Sequence, residues 1–172
     1  GPTGIVGVFN DACIQAGLPA VSLWAAVPHY VAQPPCPKAT LALLRNLEDV
    51  LELVADRGLA LVSAKTLVIE REIAGEMVVV AAAGELPGDV VGRVLDPGGS
   101  VAGAALREQC TLRLEDSLNR ARFEQYGVGR FGLTAEAGLV VPMICRSHGY
   151  GVLIALDLID DGAHFSPDDE RM

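Results

Sequence analysis

Gly138 to Arg171 reads GLVVPMICRSHGYGVLIALDLIDDGAHFSPDDER, and its reading decides the fold. Leu139 to Cys145 is a short apolar run rich in Val, Leu and Ile, and Val152 to Leu158 is a second. Between them, Arg146-Ser147-His148-Gly149 is polar and ends in glycine. Two such runs around a short Gly-containing loop predict a β-hairpin, here at the middle of a sheet. Phe165 to Glu170 then predicts a helix start. Ser166 stands at the N-cap and Pro167 at the first helical position, and Asp168, Asp169 and Glu170 fill the first turn, where the helix dipole favours acids. Asp169, three residues past Ser166, can serve as a shorter capping-box acid.

The segments upstream supply the rest of a sheet with covering helices. Thr40 to Val62 carries Leu41, Leu44, Leu47, Val50, Leu51, Val54, Leu61 and Val62 at steps of three and four, with Arg45, Glu48, Asp49, Glu52, Asp56 and Arg57 on the other side. Thr40 is a usable N-cap, and Gly58 is a weak point costing about 1 kcal/mol relative to Ala. Thr66 to Glu72 alternates after an apolar start, as a half-buried strand would, and Ala74-Gly75-Glu76 turns it into a second strand, Met77 to Ala83. Val90 to Leu95 reads as an edge element, Ser100 caps a short helix from Val101 to Glu108, and Thr111 to Leu114 is a short strand. Ser117 to Glu136 is the least regular part, with Phe123, Tyr126 and Phe131 among Gly127, Gly129 and Gly132. It reads either as core-completing aromatics or as the adaptable lid of a small-molecule pocket. At the N-terminus, Gly4 to Ala16 predicts a helix ended by Gly17, and Pro19 to Val27 a short apolar strand. Pro28 and the Gln33-Pro34-Pro35-Cys36-Pro37 run then make a rigid, extended link. The fold class is α+β, a central antiparallel sheet flanked by helices with an N-terminal helix-strand appendage. The boundary is expected between residues 1–37 and 38–172.

Composition narrows the function. At 172 residues, 51% hydrophobic and 20% charged, the chain can bury one sizeable core, or that and a partial second one. A net charge of −9 disfavours nucleic acid and anionic membrane surfaces as partners. No apolar run approaches the roughly 20 residues of a membrane helix, and no secretory signal is present, so a cytoplasmic location is expected. The start at Gly1 reads as an excised piece, or as a protease scar at Gly1-Pro2. Cys13, Cys36, Cys110 and Cys145 form no CxxC. They are expected as small buried hydrophobes, with a redox role for Cys110 or Cys145 as the alternative. His29, His148 and His164 are scattered, so no zinc site is expected, and the Asp157 to Asp169 acids lack the alternation of a calcium loop. No catalytic motif appears, and no enzyme activity is expected.

Several pieces together resemble the GAF domain of bacterial sensor proteins, over about residues 45–172. They are Val141-Pro142, Gly149 and Gly151 around a turn, Gly151-Val152-Leu153, Phe165-Ser166 with Asp169-Glu170, Gly99-Ser100-Val101-Ala102-Gly103 and Arg113-Leu114-Glu115-Asp116. The resemblance implies a sensory input module, as in a histidine kinase, joined to an output domain and dimerising through its terminal helices. It implies a pocket drawn from Val101, Phe123, Tyr126, Phe131, Leu139, Met143 and Cys145. It disfavours haem and bilin, because residues 111–140 contain neither His nor Cys, and cyclic nucleotides, because no "NKFDE" set is present. Nor do Cys110 and Cys145 reproduce the cysteine set of GAF-fold methionine sulfoxide reductases. Residues 2–50 resemble a second family, the proteasome assembly chaperones of the PAC-two type, through Gly4-Ile5-Val6-Gly7, Gly17 to Tyr30 with Ser22-Leu23-Trp24, and Gln33 to Leu44. That likeness implies a protein-binding module whose preceding strands are missing from this chain.

Overall fold

The computed structural model describes residues 4–18, 20–28, 36–160 and 165–166. Its centre is the pairing of β1 (Ala64–Ile73) with β6 (His148–Leu158). On one side β2 (Glu76–Gly84) joins β1, and β3 (Val94–Leu95) joins β2. On the other side β5 (Gly138–Cys145) joins β6, and β4 (Leu112–Arg113) joins β5. The result is a six-stranded antiparallel sheet in the order β3-β2-β1-β6-β5-β4. This is the expected α+β architecture, with both hairpins in place.

Strand period sorts the side chains into two buried layers. Leu67, Ile69, Ala81, Leu139, Val141 and Ala155 share one with Ala55 and Val62 of α2 (Pro37–Val62) and with Phe165. Val68, Met77, Val79, Val140, Val152, Ile154 and Leu156 share the other with Leu95, Val101 and Phe123. The second layer lies under α3 (Val101–Glu108), α4 (Ser117–Tyr126) and a 3-10 turn at Val128–Phe131. Being central, β1 is buried from Ala64 to Glu70 apart from the half-exposed Lys65, so the half-buried strand expected from its alternation is corrected to one covered on both faces.

Two local readings also change. The β5–β6 turn is the residue pair Arg146-Ser147, at φ 52° and 64°, and the glycines expected in it lie within β6. Gly151 is needed there for close approach, because a Cβ at that position would lie 2.1 Å from the Glu70 carbonyl oxygen. The long helix starts at Pro37, so Thr40 is inside it, its hydroxyl donating to the Cys36 carbonyl at 3.3 Å rather than capping. Gly58 continues the helix without a break.

Contacts divide the chain into residues 1–49 and 50–172, with the division inside α2. The first unit holds α1 (Ile5–Gln15), as expected, and none of the residues of α1 is buried. Residues 20–28 form no strand, because a lone extended segment has no ladder to complete it. The helix start expected at Pro167 lies outside the described residues, while Phe165 is buried in the α2 layer.

Candidate functional site

The layer under α3, α4 and the 3-10 turn is built by local rules. Ser100 caps α3, its Oγ accepting from the Gly103 N–H at 3.1 Å. Asp116 caps α4, accepting from Leu118 and Asn119 N–H at 2.9 and 3.1 Å. Arg120 of α4 then donates to the Ala135 and Glu136 carbonyls, both at 2.6 Å. The Asp157 carboxylate accepts from Glu136 and Ala137 N–H, both at 2.8 Å. The segment leading into β5 is thereby held from two sides. Gly129 serves packing, since a Cβ there would meet the Phe123 carbonyl oxygen at 2.8 Å.

The seven residues expected to line a pocket separate. Val101 and Phe123 lie fully buried in this layer, and Phe131 packs against it with the Arg93 and Arg130 guanidinium groups 5.4 and 5.6 Å from its ring centre. Tyr126 is exposed, its ring over Gly99. Leu139 and Met143 belong to the opposite layer, against the α2 side, and Cys145 is exposed beside the β5–β6 turn. The period of two explains the split: Leu139, Val141 and Met143 share one face of β5, and Val140 takes the other. Cys110 is exposed too, and Cys13 and Cys36 are half-exposed, so the expectation of buried cysteines is corrected.

Two features of this face lie outside that expectation. A cavity of about 270 Å³ opens at one end, lined by Thr66, Leu86, Leu133 and Leu156 and by the charged Lys65, Glu85 and Asp157. Further along β1 on the same side lies Glu70, fully buried, with neither carboxylate oxygen hydrogen-bonded. Burial pushes its carboxyl from the ordinary 4.5 up to about 8. The sequence reading did not single it out: Glu70 follows the apolar run Leu67-Val68-Ile69 inside a strand read as half-buried. Among the described residues no cluster of His, Cys, Asp and Glu could hold a metal ion, and no helix is long and apolar enough to cross a membrane.

Comparison with known proteins gives two results. The model of the PAC2 family matches residues 1–77, which extends past the 50 expected from sequence and through β1. Curated proteins give no match. Solved structures do. The GAF-B domain of DevS from Mycobacterium smegmatis is 25% identical over 72% of this chain and 82% of that one, with a TM-score of 0.54. The GAF domain of a phosphoenolpyruvate-protein phosphotransferase from Coxiella burnetii is 22% identical over 73% and 74%, at 0.59. A type II free methionine-R-sulfoxide reductase from Thermoplasma acidophilum is 15% identical over 74% and 84%, at 0.57. The six-stranded sheet with its two covered faces is thus a GAF fold, and the first 77 residues match the PAC2 family model.

Proposed function

We propose that residues 38–172 form a non-enzymatic sensory GAF module, the input part of a larger cytoplasmic signalling protein such as a histidine kinase. It takes a small molecule into the layer between the sheet and α3, α4 and the 3-10 turn, near Val101, Phe123 and Phe131. The observation carrying this reading is the polar break in that layer: a 270 Å³ cavity at one end and an unpaired, fully buried Glu70 within. Haem, bilin and cyclic nucleotides stay disfavoured as ligands.

The same module is read as a homodimer through α2. That helix is apolar on two sides. Ala55 and Val62, with Leu51 and Leu59, face the sheet. Leu44, Leu47, Val54 and Leu61 are 51%, 45%, 49% and 83% exposed at coiled-coil spacing. A ligand that shifts the sheet would bias the packing of this helix pair, and so the output.

A second reading rests on the family match over residues 1–77. The exposed Ile5, Phe9, Val21 and Trp24 suit a protein-binding, assembly-chaperone-like module. Native mass spectrometry separates the two. The sensory reading expects a dimer carrying a small molecule that departs on denaturation, and a monomer for the Leu47→Glu, Val54→Glu double variant. A monomer that retains a protein partner and no small molecule would favour the second reading.

A further inference from the structure

Glu70 lies at the middle of the sheet, opposite Val79 of β2 and Val152 of β6. Those valines belong to the buried layer that also holds Val68, Leu95 and Val101. A carboxylate in such surroundings is costly unless a partner neutralises it, and neither oxygen has one. The neighbouring charges do not supply it. On β1, Arg71 and Glu72 are exposed, as are Glu76 at the start of β2 and His148 at the start of β6. At the end of α3, Glu108 is exposed and Arg107 donates to the Pro97 and Gly98 carbonyls. Asp157, at the far end of β6, is held by the Glu136 and Ala137 N–H groups. The other buried polar groups of this face are satisfied, Ser100 by Gly103 and Thr66 by the Glu85 carbonyl at 2.8 Å. Arg93, whose carbonyl accepts from the Val79 N–H at 3.0 Å, is exposed with its guanidinium over the Phe131 ring, so among the described residues none pairs with Glu70.

We propose that Glu70 is the anchor of the ligand layer, and that the ligand is a small aliphatic cation, an alkylammonium or amidinium, whose N–H groups bind the carboxylate while its chain packs among the valines. This rests on the reading of that layer as the ligand pocket. A neutral ligand meets only the protonated carboxyl, whereas a cation forms an ion pair with the carboxylate in a buried site, and that pair is what favours positive charge. Thr66, Val68 and Glu70 alternate along one face of β1, with the cavity at the Thr66 end and Val68 and Glu70 closed over by the valines, so the ligand must part that packing to reach the carboxyl. The proton balance is simple. Burial holds the carboxyl protonated at neutral pH, and binding of an already protonated amine releases that proton to solvent.

The test is calorimetric titration of n-butylammonium into the full chain at pH 7, in two buffers of different ionisation enthalpy, with n-butanol as the neutral match. The expected result is binding of the ammonium with release of about one proton, and affinity rising about tenfold per pH unit from pH 6 to 7. Glu70→Gln should bind it at least about tenfold more weakly, with no proton release. Equal binding by wild type and Glu70→Gln, binding without proton release, or no binding of the ammonium overturns the anchor. If the variant does not fold, proton release and pH slope in the wild type decide alone. Butanol bound equally by both chains, with no preference for the ammonium, would sink the anchor and leave the pocket standing.

Discussion

At the scale of single residues, Glu70 sets the chemistry of the sheet. Its folded carboxyl holds a proton more tightly than the unfolded one. Below about pH 4.5 both are protonated and Glu70 adds no pH dependence. As pH rises further the unfolded carboxyl ionises first, so stability falls until the pH passes about 8 and then levels off. The expected slope is a loss of about 1.4 kcal/mol per pH unit between pH 5 and 7. Glu70→Gln should remove that slope, matching wild type near pH 4.5 and exceeding it by a few kcal/mol at pH 8. Urea denaturation at a series of pH values checks this, and parallel curves for the two proteins would contradict it. Sequence could not reveal this residue's state. An acid after Leu67-Val68-Ile69 looks like the solvent end of a half-buried strand, and only pairing with β2 and β6 on both sides buries it.

At the scale of elements, the sequence was legible where local rules act alone. Ser100 at the head of α3, the Ala74-Gly75 turn and the β5–β6 pair follow from caps, turn residues and period. It was less legible where two elements meet. Gly149 and Gly151 read as turn residues because glycine commonly serves turns, yet the turn is built from Arg146 and Ser147 in the left-handed region. Gly151 answers to β1 instead. Gly151→Ala should therefore destabilise the chain by at least about 2 kcal/mol, since the new methyl meets backbone that cannot rotate away. A urea midpoint unchanged by that substitution would show that β1 and β6 pair differently. The same limit separated the candidate pocket. Leu139 and Met143 share a strand with Val140 but not a face, and without β5's register nothing tells which face meets α3.

At the scale of the whole chain, the GAF fold of the sheet and the PAC2 family match of the first 77 residues overlap on α2 and β1. Motif order made the sheet readable, because the markers around Ser100, Val141 and Val152 fall on α3, β5 and β6. The pocket was less readable, since burial of Glu70 and the cavity beside Thr66 depend on contacts among distant strands. The central claim is that a ligand enters the α3 side of the sheet and not the α2 side. Methyl NMR of the Val, Leu and Ile side chains, during titration with n-butylammonium, addresses it most directly. The account predicts shifts at Val68, Val79, Val101 and Val152, with Leu67, Ile69 and Leu139 unmoved. Shifts confined to Leu67, Ile69 and Leu139, or no shifts in either layer, would contradict it.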